Sequence, residues 1–272
     1  MLKLVILIIY FAVLIGIGLY CRKHATDVNG FVLGGRSVGP WLTAFAYGTS
    51  YFSAVVFVGY AGQFGWKYGI AATWAGIGNA IIGSLLAWVV LGRRTRIMSQ
   101  HLDSATMPQY FGKRFGSNPL KIGASVIIFI FLIPYTASLY NGLSRLFGMA
   151  FNIDYSVCII IMATLTAIYV IAGGYMATAI NDFIQGIIML FGIVAVIAAV
   201  IHSKGGFMSA LQGLANVSDP AVSDTPGIFA SFFGPDPFNL LCVVILTSLG
   251  TWGLPQMVQK FYAIDNEASI QL

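Results

Sequence analysis

Between residues 155 and 203 the only aspartate, glutamate, lysine or arginine is Asp182, set in the stretch AINDFIQG at 179–186. A lone carboxylate there, with Asn181 beside it, has the chemistry of a helix cap, because its charge favours the positive end of a helix over 183–202. Two other clusters offer oxygen rather than charge. Gly48, Thr49, Ser50, Tyr51 and Ser53 fall near the middle of WLTAFAYGTSYFSAVVFVGYAG, and Thr247, Ser248, Gly250, Thr251, Gly253 and Pro255 repeat the theme near the far end of the chain. Glycine loosens a helix and proline lacks the amide proton that continues it, so both segments are expected to unwind there. Backbone freed at membrane depth is tolerated only where protein buries it or it lines a polar cavity, and a pair of interrupted spans is a pointer to a transporter binding site. The alternative for either segment is that its hydroxyls bond back to their own helix and its glycines serve packing.

Enzyme chemistry has little to work with. His24, His101 and His202 each stand near a membrane edge, and Cys21, Cys158 and Cys242 lack the spacing of a disulfide framework or a zinc site. GGRSVG matches the nucleophile-elbow pattern at Gly35, Ser37 and Gly39, but no strand precedes it. The expectation is a protein that is not an enzyme, with no cofactor.

The elements that carry these residues are apolar. The chain is 58% hydrophobic and 8% charged with a mean hydropathy of +0.86, against about 25% charged in a soluble domain. Stretches free of Asp, Glu, Lys and Arg cover 4–21, 37–66, 68–92, 122–144, 155–181, 183–203 and 237–259. Each can hold the ~20 residues that cross a ~30 Å hydrocarbon core, so an all-α integral membrane protein of about seven transmembrane helices is expected in the lipid bilayer. The first stretch is too long for a signal-peptide core and no small-residue cleavage site follows it, so it reads as a retained helix. In the third, Ala72, Gly76, Ala80 and Ser84 recur every four residues and form a small-residue face for helix packing.

The net charge of +5 follows the same plan. If the spans alternate, Arg22, Lys23, Arg36, Arg93, Arg94, Arg96, Lys113, Arg114, Lys121 and Lys260 share one side, while Lys3, Lys67 and Lys204 stay on the other and Arg145 snorkels near the outer end of its helix. By the positive-inside rule the first side is cytoplasmic and the N-terminus lies outside, in the plasma membrane. Membrane orientation accounts for the basic residues, and no nucleic acid is expected.

FVLGGRSVGPWLTAFAYGTSYFSA at 31–54, TMPQYFGKRF at 106–115, IYVIAGGYMATAINDFIQG at 168–186 and GTWGLPQMVQKFYAI at 250–264 together resemble the sodium:solute symporter family, whose members carry proline, pantothenate, sialic acid or sugars. The resemblance implies a five-plus-five inverted-repeat bundle of the leucine-transporter type. Residues 1–21 would be an extra N-terminal helix, 40–202 the first five-helix repeat, 203–237 an outside loop, 238–262 the first helix of the second repeat and 263–272 a polar tail. Family members have about thirteen spans, so the chain is expected to be truncated, a fragment, or half of a split transporter completed by a second polypeptide. The alternative to a sodium-coupled transporter is a non-transporting or channel-like membrane subunit.

The resemblance also implies site residues. Sodium, the coupling ion, would be held by the carbonyls of Thr49 and Phe52, with Asp182 on its cytoplasmic exit path. The small organic solute, a pantothenate-like carboxylate, amino acid or sugar, would lie near Ser50, Tyr51 and Ser53 on one broken helix and Thr247, Thr251, Trp252 and Gln256 on the other. The proline-transporting branch has an aspartate where this chain has Tyr51, whereas Asn181-Asp182 and the Gly253-Leu254-Pro255 run resemble the pantothenate branch.

Overall fold

Several helices start where a side chain caps them. A computed structural model describes residues 2–52 and 60–270. After α1 (Leu2–Cys21), Asp27 caps α2 (Val28–Leu33) by accepting a hydrogen bond from the Gly30 amide at 3.1 Å, and Gly34, in the left-handed region, ends it. Pro40 occupies the first turn of α3 (Pro40–Tyr51), where its missing N–H costs nothing. Beyond the segment at 53–59 come α4 (Ala61–Tyr68), α5 (Thr73–Gly78), a π-helical stretch over Asn79–Leu86 and Trp88–Gly92, and α6 (Arg93–His101). Thr106 and Gln109 cap α7 (Met107–Phe115), Ser117 caps α8 (Asn118–Phe151), and α9 (Tyr155–Ser203) follows. Last come α10 (Phe207–Ala215), α11 (Pro237–Gly250), capped by Asp236, and α12 (Pro255–Ala263). Among the described residues no sheet forms, and only two isolated bridges occur, Val38 with Ile264 and Asp219 with Ser223.

Three helical runs, Ala61–His101, Asn118–Phe151 and Tyr155–Ser203, are long and apolar enough to cross a membrane, and Pro237–Gly253 with Pro255–Ala263 forms a broken fourth. Their outward surfaces suit hydrocarbon. None of the most apolar window of α8 is buried, and Phe129, Phe131, Ile171 and Phe191 stand about 70% exposed.

The two spans expected at 155–181 and 183–203 do not meet at Asp182. Their break is at Gly174, whose φ of 57° and ψ of −149° only glycine adopts readily. A Cβ on Gly174 would stand 2.8 Å from the Phe31 carbonyl oxygen, and one on Gly173 would stand 2.7 Å from that of Gly18. The double glycine therefore bends α9 and lets α1 and α2 approach its backbone. Asp182 lies inside the helix, so neither it nor Asn181 is a cap.

The small-residue face is also shifted. Gly76 and Ala80 are exposed, while Ala71, Ala75, Gly78, Gly83 and Ala87 are buried. Gly78 faces Val244 and Ser248 of α11, and a Cβ there would collide with Val244.

The chain forms two compact units. One gathers Met1–Val55, Trp88–Gly186 and Leu254–Leu272, and the other Val56–Ala87 and Ile187–Gly253. In the first, Leu33, Val38, Ala46, Tyr175, Ala179, Val258 and Tyr262 form a core. The expected polar tail is docked into this unit: Ala263 and Ile264 are buried, and Asp265 N–H donates to the Val38 carbonyl at 3.1 Å. Arg36 donates to Ser99, Ser104 and Tyr262, and Arg96 to Gln100 and to the carbonyls of Ile264 and Asp265, so two guanidiniums hold α6 and the end of α12 together. Burial, and then the neighbouring Arg96, lowers the pKa of Arg36 from arginine's ordinary value. In the second unit, Tyr68, Ala71, Ala75, Leu240 and Val244 form the core, and Trp74 donates to the Phe232 carbonyl at 3.0 Å.

Candidate functional site

The hydroxyl-rich helix α3 stops where its glycine and hydroxyl cluster predicts. Phe52 leaves helical geometry at φ −88° and ψ 62° while its amide still donates to the Gly48 carbonyl at 2.9 Å. The last-turn carbonyls, Thr49 among them, therefore point beyond the helix end, where the macrodipole is negative and favours a cation. The Thr49 hydroxyl turns back to its own helix, donating to the Phe45 carbonyl at 2.8 Å. Gly186 sets the depth of this turn against α9, since a Cβ there would stand 2.6 Å from the Phe45 ring and 3.1 Å from the Thr49 methyl. Phe183 packs edge-on against Phe45 at 4.8 Å.

Thr49 and Ser50 line a cavity of about 780 Å³ in the first unit, together with Tyr135 and Thr136 of α8 and Gln256 and Gln259 of α12. Gln259 is committed, donating to the Val32 carbonyl. Gln256 is not: both polar atoms of its amide are buried, and neither has a hydrogen-bond partner among the described residues. A buried amide without partners costs about 1–3 kcal/mol relative to a satisfied one, and water or a polar guest in the cavity would satisfy it.

A charged pair occupies the same unit. Lys260 Nζ of α12 lies 3.5 Å from Asp182 Oδ2 and 4.9 Å from the centre of the Tyr175 ring. The lysine side chain is 7% exposed and the aspartate 23%. The Asn181 amide, one residue before Asp182, and the Tyr175 hydroxyl are buried without partners among the described residues. Polar groups left short of bonds next to an ion pair suit a place that water or a cation visits.

The remaining expected site residues lie elsewhere or are otherwise engaged. Tyr51 is absent from the cavity wall; it is 7% exposed and stacks on Tyr47 at 6.1 Å, in an aromatic cluster with Trp88 and Phe261. Ser53 falls outside the described residues. Thr247, Thr251 and Trp252 belong to the second unit and are tied locally: Thr247 accepts from Asn79 at 3.1 Å and donates to Val243, Thr251 donates to Ser248, and Trp252 donates to the Ile82 carbonyl at 3.0 Å. The helix does break there, with a 3₁₀ turn over Thr251–Gly253 and extended Leu254 before Pro255. The charge pattern places Lys260 on the cytoplasmic side, and its partnership with Asp182 appears only in the fold. The legible signal was its spacing, since Gln256, Gln259 and Lys260 form an i, i+3, i+4 polar stripe on an otherwise apolar helix. Among the described residues no cluster of three or more His, Cys, Asp or Glu could hold a metal ion.

Apolar helices with exposed hydrocarbon-like faces describe a helical membrane protein, and a cavity lies beside the end of α3. The sodium:solute symporter family model matches residues 31–272, and the chain belongs to that family. It is 31% identical over 259 residues to the osmoregulated proline transporter OpuE of Bacillus subtilis (strain 168), covering 94% of this chain and 51% of the relative. It is 32% identical over 274 residues to the sodium/proline symporters of Staphylococcus aureus strains JH9 and NCTC 8325, covering 96% of this chain and 49% of each relative. The chain thus spans about half the length of the curated relatives it matches. Family members are multi-pass membrane proteins that couple sodium to solute transport, and none of these relatives is an enzyme.

Proposed function

We propose that this chain supplies the first half of a sodium-coupled symporter for a small zwitterionic solute of the proline type. The observation that carries the reading is the unpartnered Gln256 amide in a cavity whose wall includes the end of α3. Proline offers a carboxylate and a secondary ammonium to such a wall, and the relatives named above are proline transporters, which favours it over the pantothenate-like solute that the sequence resemblance suggested. Ser50 and Gln256 bind the solute from this unit, and the Thr49 and Phe52 carbonyls contribute to the sodium site. Thr247, Thr251 and Trp252 remain candidates from the second unit.

Asp182 draws sodium toward its exit, and Lys260 competes with the ion for the same carboxylate. Binding of Na⁺ there weakens the ion pair, and its departure restores it, so the lysine eases release without a strong trap being left behind. The architecture is the seven-span front part of a five-plus-five inverted repeat, with an extra helix at 1–21, a first repeat over 40–202, a loop at 203–237 and the first helix of the second repeat at 238–262. The N-terminus faces outward in the plasma membrane, as the basic residues require.

The test is sodium-gradient-driven uptake of radiolabelled proline and pantothenate in proteoliposomes, with the 272-residue chain alone and within the polypeptide encoded by its complete reading frame. Proline uptake that needs sodium, and that Gln256→Leu abolishes, supports the reading. Uptake indifferent to sodium, or a preference for pantothenate over proline, overturns it.

A further inference from the structure

Near the end of α8 away from Lys121, a second cavity of about 570 Å³ is lined by Asn141, Ser144, Arg145, Gly148, Met149 and Tyr155. It shares no lining residue with the first cavity, and two features make it a built site rather than a surface dent. Ser144 is fully buried, yet its hydroxyl has no hydrogen-bond partner among the described residues. A helical serine ordinarily bonds back to the carbonyl one turn earlier, so a buried hydroxyl that does not is held for something else. Arg145 is exposed and has partners on one side: its Nε donates to Asn141 Oδ1 at 2.8 Å, Tyr155 OH donates to the same oxygen at 3.2 Å, and the guanidinium lies 6.0 Å from the Tyr155 ring centre. That arrangement occupies Nε and leaves the outer guanidinium nitrogens and the Asn141 NH₂ as donors. The nearest acid in sequence, Asp154, accepts from the Ser156 amide in its own turn.

Depth identifies the guest. Lys121 and Arg145 bracket a charge-free stretch, 24 residues apart and so roughly 36 Å along a helix, close to the ~30 Å of a hydrocarbon core plus its margins. Arg145 therefore stands at head-group level. An arginine fork, a serine hydroxyl and an amide NH₂ are donors for a tetrahedral oxyanion.

We propose that Ser144, Arg145 and Asn141 bind the phosphate of a phospholipid head group. The phosphate oxygens accept from the guanidinium and satisfy the Ser144 hydroxyl, while Tyr155 holds Asn141 and so keeps the arginine aimed.

The purified 272-residue chain in detergent is titrated with phosphatidylglycerol, with diacylglycerol as the phosphate-free amphiphile, and with inorganic phosphate, and read by native mass spectrometry and thermal unfolding. The expected result is one tightly held phosphatidylglycerol per chain that raises the melting temperature, with no such effect of diacylglycerol. Arg145→Gln weakens binding by roughly tenfold or more, and Lys121→Gln at the opposite end leaves it unchanged. Ser144→Ala removes a hydroxyl that has no protein partner, so it unfolds no earlier than the parent without lipid but gains less from phosphatidylglycerol. An equal effect of millimolar inorganic phosphate overturns the lipid as the source. Parental affinity in both Arg145→Gln and Ser144→Ala overturns the site. Should Arg145→Gln fail to fold, Ser144→Ala alone decides.

Discussion

Arg96 and Lys260 are buried to nearly the same degree, 3% and 6% exposed, in the same unit, yet their surroundings differ. Arg96 spends its donors on Ile264, Gln100 and Asp265 at 2.6 to 2.9 Å, and Arg36 beside it has four bonds of its own. Lys260 has one carboxylate at 3.5 Å, an aromatic face, and neighbours in Asn181 and Tyr175 that lack partners of their own. A saturated charge acts as a fastener, because any displacement breaks several bonds at once. An undersaturated one can exchange its partner at small cost, which a transport path needs and a scaffold does not.

The contrast can be broken at its strongest point first. Arg96→Met should cost about 3–5 kcal/mol, since it leaves the carbonyls that the guanidinium served buried without donors. Thermal or denaturant unfolding in detergent measures it, and a loss below about 1 kcal/mol would remove the fastener role. Lys260→Met should cost less, about 2–3 kcal/mol, because Asp182 keeps partial access to water. Adding Asp182→Asn should recover about 1–2 kcal/mol of that loss, the mark of a pair rather than a network. On the proposed function, Asp182→Asn alone should raise the sodium concentration needed for half-maximal proline uptake in proteoliposomes while leaving membrane insertion intact.

Gly174→Ala tests whether the bend in α9 aims the polar stretch. The strained backbone and the contact with Phe31 should cost about 1–3 kcal/mol, and sodium dependence should weaken with stability. Normal sodium dependence in a destabilised variant would separate the bend from the ion path. The smallest effect on stability is expected from Gln256→Leu and Asn181→Leu, within about 1 kcal/mol of the parent, since each removes an amide that has no partner among the described residues. Gln256→Leu should nevertheless lose proline binding, measured by equilibrium dialysis with and without sodium.

Both helix interruptions were legible as clusters of glycine, hydroxyl and proline, because loss of the helical ladder is a local property of those residues. So was Asp182, as the one charge in a long apolar run. The register of packing was not: a repeat of small residues says that some face is close-packed, and the buried set at Ala71, Ala75, Gly78 and Ala87 lies one side of the expected Ala72, Gly76, Ala80 and Ser84. Tyr51 shows the same limit from the other direction. Its place in the hydroxyl cluster suggests a ligand, and nothing in that pattern shows that its ring stacks on Tyr47.

What the sequence determined by itself is the solvent the chain lives in, the places where its helices break and the family to which it belongs, because hydropathy, backbone chemistry and motif spacing are written along one dimension. What the tertiary structure decided is which polar groups are spent and which are spare. Arg36, Arg96 and Lys260 are all cations near the end of an apolar run, and no periodicity separates them. Only the carbonyls that meet the two arginines, and the single carboxylate that meets the lysine, make the first pair scaffold and the last a candidate for work, since a hydrogen bond is satisfied by partners that folding brings from far along the chain.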